Sequence, residues 1–132
     1  MITKDSRLVR NLMEPYLPIE GFTPEGWIKD KDNICLTDDE GNIALFENIK
    51  PKVFYGHYFF KARGRDAIDA AKLFLEEIFQ QSVEVIIGLT PSDNKAAKWM
   101  SRHIGFTSHG EIETDQGPHE LFILTKKEYE NG

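Results

Sequence analysis

The sequence predicts an α/β domain in which a mixed, mostly antiparallel, twisted sheet is flanked by helices. Three observations predict it. Val53 to Phe60 (VFYGHYFF) is rich in the aromatic residues that favour sheets. An amphipathic helix from about Asp66 to Gln81 follows it, and then a β-branched apolar run, Val83 to Leu89, short enough for a buried strand. Turn-rich clusters place a hairpin on either side of this strand–helix–strand unit. At 132 residues the chain is read as a single domain, residues 1–132, long enough to bury a substantial core.

The elements follow in order. Asp5 or Ser6 can cap a first helix carrying Leu8, Val9, Leu12 and Met13, which Pro15 and Pro18 end. Gly21 to Gly26 reads as a loop. Asn33 to Thr37 and Asn42 to Ile49 read as two strands around the acidic tip Asp38-Asp39-Glu40-Gly41-Asn42. Lys50-Pro51 turns the chain into the aromatic strand, where a period of two sets Val53, Tyr55, His57 and Phe59 against Phe54, Gly56, Tyr58 and Phe60.

In the long helix, Ala67, Ala70, Ala71, Phe74, Leu75 and Ile78 fall on one face of a 3.6-residue period. In the next strand Ile86 and Ile87 are expected buried on opposite faces. Thr90-Pro91-Ser92-Asp93 then breaks the chain and offers Ser92 or Asp93 as an N-cap. A helix continues from Asn94 through Ala96, Ala97, Trp99 and Met100 to Gly105, a C′ glycine, with Arg102 and His103 in its last turn. Ser108 to Glu113 and His119 to Thr125 form a terminal hairpin through Asp115-Gln116-Gly117-Pro118.

Composition bounds the chemistry. The single Cys35, between Ile34 and Leu36, leaves no intramolecular disulfide and fits a reducing, cytoplasmic compartment. The four histidines are scattered without metal-ligand spacing, so no metal is expected. No apolar run approaches the ~20 residues that span a bilayer, and the N-terminus has no apolar signal core, so no membrane partner is expected. A formal net charge of −6 argues against nucleic acid as partner and is compatible with a cationic amine substrate.

The stretch richest in chemistry is Lys61-Ala62-Arg63-Gly64-Arg65-Asp66-Ala67. A basic, glycine-bearing turn that opens a helix offers free backbone N–H groups at the positive end of a helix dipole, a natural seat for a phosphate or pyrophosphate. The same composition also serves plain turn geometry and solubility.

With the segment that follows, the pattern resembles the GCN5-related N-acetyltransferase (GNAT) superfamily. Asn94-x-x-Ala97, with Gly105-Phe106 eleven residues after the Asn, resembles the second half of that family. The resemblance covers roughly residues 34–129 and implies fourth and fifth strands, here Val53–Phe60 and Val83–Leu89, that splay apart around a pantetheine arm. The family opens with a strand; only Met1 to Lys4 is available for it here.

The implied activity is acetyl-CoA-dependent N-acylation of a small-molecule or protein amine by direct attack on the thioester. Backbone N–H groups near Phe59, Phe60 and Lys61 would orient the pantetheine. Arg63, Gly64, Arg65, Asp66 and Ala67 would hold the pyrophosphate, while Asn94 and Ala97 line the pantetheine path. His57 and, on the neighbouring strand, Glu47 are the candidate bases, because imidazole as a class titrates near neutrality.

Two positions depart from the family. Its turn, Gln/Arg-x-x-Gly-x-Gly/Ala, fits in neither register: starting at Arg63 loses both small residues, and starting at Lys61 keeps Gly64 but puts Asp66 at the last. The Tyr that protonates the leaving thiolate in many members corresponds to Ser101, a poorer and shorter acid. These departures and the ending Glu120-Leu-Phe-Ile-Leu-Thr-Lys-Lys also resemble small GNAT-like proteins of tailed bacteriophages. That implies an alternative role in head assembly or inside the virion, with phage head proteins as partners and host cytoplasm or virion as location.

Overall fold

A computed structural model describes residues 1–132. Its centre is a seven-stranded sheet in the order β1-β2-β3-β4-β5-β7-β6. The strands are β1 (Ile2–Thr3), β2 (Ile34–Thr37), β3 (Ile43–Lys50), β4 (Val53–Phe59), β5 (Val85–Pro91), β6 (Thr107–Thr114) and β7 (Gly117–Thr125). Every neighbouring pair is antiparallel except β4 with β5, which run parallel because α3 (Gly64–Ile78) crosses over between them. Helices α1 (Ser6–Met13), α2 (Pro24–Lys29), α4 (Lys95–His103) and α5 (Lys126–Asn131) complete the fold.

The two sheet faces carry separate cores. All six apolar positions expected of α3 are buried, and they pack with Phe46, Phe54, Phe60, Ile86 and Phe122. Period-two alternation sends Cys35, Ile43 and Leu45 to the other face, where Val9 and Met13 of α1 and Ile28 of α2 cover them. Burial pushes the Cys35 thiol up to about 12, so it is a core side chain and not a nucleophile.

Several sequence expectations are corrected. The 21–26 segment is not all loop: Thr23 accepts a hydrogen bond from the Gly26 N–H, Pro24 takes the first helical position, and α2 begins there. Helix α3 starts two residues earlier than expected, at Gly64 (φ +59°). Thr90-Pro91 does not break the strand but extends β5, paired with Glu120 and His119, since at an outer register proline's missing N–H costs little. Ile86 is fully buried, whereas Ile87 is only half-buried, because the sheet is thinly covered on that side. The cap of α4 is Asn94, not Ser92 or Asp93. A C-terminal helix, α5, has no counterpart in the sequence reading; a reciprocal capping box between Thr125 and Glu128 starts it, and Tyr129 stacks on Phe79. Helix α4 ends as expected at Gly105 (φ +103°), with the Gly105 and Phe106 N–H groups donating to the Arg102 and Ser101 carbonyls.

Candidate functional site

Strands β4 and β5 pair over only three positions, Val53 with Val85, Phe54 with Ile86 and Tyr55 with Ile87. Beyond them the strands part. Both sides of the parting begin with a glycine, Gly56 and Gly88. Gly56 is required by close approach, because a Cβ there would sit 2.7 Å from the Tyr58 hydroxyl. That hydroxyl is buried without a hydrogen-bond partner, and desolvation drives the phenol pKa up, so it stays protonated.

The gap is a cavity of 330 Å³ whose walls include His57 and Phe59 of β4, Thr90 of β5, and Ala97 and Ser101 of α4. It shares Tyr58, Phe59, Ala97 and Met100 with a larger cavity of 520 Å³ that reaches Arg63, Gly64 and Ala67 at the start of α3, and Asn94 at the start of α4. On its other side it shares His57 and Phe59 with a cavity under α1 and α2 that also contains Glu47. Three cavities with shared walls therefore lie in succession from the basic turn, past the parted strands, to the Glu47–His57 pair.

The basic turn is held by its own chain. Arg63 folds back, its Nη1 donating to the carbonyls of Lys61 (3.3 Å), Ala62 (3.0 Å) and Phe60. The Lys61 and Ala62 N–H groups donate to Asn42 Oδ1 at 2.9 and 3.1 Å, and Asn42 Nδ2 donates to Asp38. Asn42 is fully buried. The turn is thus tied to the β2–β3 hairpin tip through a residue that, in sequence, shows only as a turn former.

The first N–H groups of α3 have no side-chain acceptor. The other four helices each start on a capping side chain: Asp5, Thr23, Asn94 and Thr125. Asp66 neither caps α3 nor lines the 520 Å³ cavity; it faces a separate acidic groove with Asp38, Asp39, Glu40 and Asp69. Its carboxylate is therefore directed away from the cavity at the turn. Lys61 and Arg65 are exposed.

Glu47 and His57 lie on adjacent strands, and their side chains meet at 3.3 Å between Oε1 and Nε2. A carboxylate can only accept, so in this contact Nε2 carries the hydrogen, and in the neutral ring Nδ1 would then hold the lone pair. Asn94 Oδ1 accepts the Ala97 N–H at 3.1 Å, which leaves its Nδ2 for the cavity. Ser101 lines the gap.

The structure thus brings together His57, Glu47, Ser101, Asn94, Ala97, Arg63, Gly64 and Ala67 along these adjoining cavities. It corrects one placement. The Lys61 N–H is bonded to Asn42 and is not open to a pantetheine. The Phe60 side chain packs edge-on to Phe74 and also borders the 520 Å³ cavity. Arg63 serves the turn's carbonyls as well as any anion, because its guanidinium lies over its own backbone. Asn42 and Met100 were missed; a buried turn asparagine and a helix methionine carry no separate signal in sequence. No group of His, Cys, Asp and Glu side chains is arranged to hold a metal ion, and no helix is long and apolar enough to cross a membrane.

No family model and no curated protein sequence matches the chain. Solved structures do. A spermidine N-acetyltransferase SpeG variant from Vibrio cholerae is 11% identical, with a TM-score of 0.73 over 99% of this chain and 96% of that one. The ribosomal-protein-S5-alanine acetyltransferase from Vibrio fischeri is 17% identical, with a TM-score of 0.70 over 98% and 93%. The aminoglycoside acetyltransferase AAC(6')-Ib in complex with coenzyme A is 16% identical, with a TM-score of 0.65 over 79% and 72%. At such identities the likeness is one of architecture: with its seven-stranded, mostly antiparallel sheet, one parallel pair and flanking helices, this chain has the GNAT fold.

Proposed function

We propose that the protein is an acetyl-CoA-dependent N-acyltransferase acting on an amine. The observation that carries this reading is the succession of adjoining cavities from an uncapped helix start, past parted strands, to a paired carboxylate and imidazole. Acetyl-CoA has the matching parts: an anionic pyrophosphate, a narrow amide-bearing arm and a reactive thioester.

The open N–H groups from Gly64 onward, with Arg65 and the free edge of Arg63, would hold the pyrophosphate. The arm would lie between Tyr58, Ala97 and Met100, with Asn94 Nδ2 as a donor to its carbonyls. When bound, the co-substrate supplies an acyl carbon activated by a good leaving group. The amine nitrogen attacks that carbon, a C–N bond forms, and the C–S bond breaks. His57 Nδ1 would accept the proton the nitrogen loses, with Glu47 stabilising the imidazolium. The thiolate must gain a proton. Ser101 lines the gap but is a poor acid, so water entering the gap is the expected donor.

Ser101 in place of a phenol also supports a second reading, a GNAT fold kept for assembly, as in the phage-type proteins. Calorimetry with CoA and a thiol-release assay with acetyl-CoA and an amine panel separate the two. Acyl transfer that His57→Gln slows by roughly 10²-fold or more, with CoA affinity unchanged, is the expected result. CoA binding with no turnover marks a fold retired from catalysis, and no heat at millimolar CoA rejects the acyltransferase reading and favours assembly.

A further inference from the structure

On the sheet face opposite α3, α1 and the loop into α2 enclose a cavity of 260 Å³. Phe22, Trp27 and Phe59 give it aromatic walls. Its polar groups are the carboxylates of Glu20 and Glu47 and the imidazole of His57, and no lysine or arginine lines it. Aromatic faces beside carboxylates suit an ammonium, which the ring quadrupoles and the negative charges attract together. The volume lies below the ~300–1,000 Å³ of pockets that take drug-sized ligands.

Position adds the next constraint. His57 and Phe59 line both this cavity and the gap between β4 and β5. A nitrogen held beside Glu47 is therefore at the mouth of the gap, while the body attached to it points toward Trp27 and Phe22. Arg10 of α1 and Glu25 of α2 link the two helices by an exposed two-pronged ion pair, 2.8 Å between Nη2 and Oε2.

We infer that the acceptor is a compact primary amine, a single ammonium on an aryl or short alkyl body, in preference to a polyamine or an aminosugar. The inference rests on the acyltransferase reading for what happens to the amine, but not for its binding. A polyamine brings several ammonium groups to a cavity with two carboxylates and otherwise apolar walls. An aminosugar brings hydroxyls that these walls leave unpaired, and unpaired polar groups in an apolar pocket cost affinity.

The test compares 2-phenylethylamine, hexylamine, spermidine and kanamycin by calorimetry, with CoA present and absent, alongside thiol release from acetyl-CoA. The parent is set against Trp27→Ala, Trp27→Phe and Phe22→Ala, with CoA affinity reporting an intact fold. Expected is binding of the two compact amines, weakened about tenfold by Trp27→Ala, which removes the aromatic wall that the body of the amine packs against, and less by Trp27→Phe. Phe22→Ala lies in the loop and should weaken the aryl amine even where a Trp27 variant fails to fold. Tighter binding or faster turnover of spermidine or kanamycin, or binding of no amine to a protein that binds CoA, overturns the inference and leaves the acyltransferase reading standing in the first case. Compact amines that bind and respond to the variants without any acetyl transfer uphold the cavity's preference and overturn the acyltransferase reading instead.

Discussion

Helices α3 and α4 begin at opposite sides of the same 520 Å³ cavity, yet their first turns are built in opposite ways. At α4 the Asn94 carboxamide accepts the Ala97 N–H, and Lys98 donates to the Ser92 carbonyl, so the turn satisfies itself. At α3 the hydrogen bonds go elsewhere. Arg63 serves carbonyls, Asn42 takes the two N–H groups upstream, and those of the helix proper are left open. A helix start ready for an anion is therefore more than a missing cap: the surrounding turn has to be rigid without using the donors that matter.

If that difference is real, substitutions at the two starts should separate stability from anion binding. The largest effect is expected at Asn42. Asn42→Ala leaves two turn N–H groups without their buried acceptor and should cost about 2–4 kcal/mol in denaturant unfolding. CoA affinity should fall with it as the turn loosens. A loss below ~0.5 kcal/mol, the range of ordinary surface changes, would show that the turn is held by something other than Asn42.

Next comes Arg63→Asp, which offers α3 the cap that α4 already has. A carboxylate at this position competes for the open N–H groups and repels phosphate, so CoA binding should weaken roughly 10- to 100-fold, with little loss of thermal stability. Unchanged calorimetric affinity would move the pyrophosphate away from this turn.

Asn94→Ala should do the reverse. Loss of the cap is expected to cost about 1 kcal/mol of stability, with CoA affinity down only a few-fold from the lost Nδ2 donor. Equal responses of affinity at Asn94 and Arg63 would erase the contrast between the two starts.

The smallest effect concerns the exposed ion pair between α1 and α2. The Arg10 hydrogen bond holds the Glu25 carboxyl at about 2, against an ordinary 4.5. The folded state therefore binds this proton more weakly than the unfolded chain. The contribution is complete above about pH 4.5 and is lost as pH falls toward 2. Glu25→Gln should flatten the fall of the melting temperature across that window and change little at neutral pH, because an exposed ion pair is worth little there. An unaltered acid limb would place the acid-sensitive groups elsewhere.

Periodicity made the α3 core face legible residue by residue, because a helix that covers a sheet must repeat its apolar positions every 3.6 residues. The end of α4 was legible for a related reason, since a C′ glycine is local chemistry, whereas its cap, Asn94, stands beside two other residues able to cap, Ser92 and Asp93. The sequence reading passed over α2 and α5 although their caps, Thr23-Pro24 and Thr125-x-x-Glu128, are of the same local kind. Six-residue helices are too short for a periodic stripe, so nothing drew attention to those caps. Thr90-Pro91 misled because a proline reads as a breaker unless it is known to lie where β5 no longer needs an N–H from it.

By itself, then, the sequence determined the order of β2 to β7 with α1, α3 and α4, the α3 face, the alternation that puts His57 and Phe54 on opposite sides of β4, and the basic turn where a phosphate could sit. All of these follow from interactions within a few residues or from a repeat along one element. Tertiary structure alone decided that Asn42 fastens that turn, that Asp66 faces away from it, that the Tyr58 hydroxyl is buried beside Gly56, and that Glu47 meets His57 at the mouth of the parted strands. These depend on which strands are neighbours, on register and on where a parallel pair comes apart. Contacts between residues far apart in sequence are set by packing, and packing leaves no period to read.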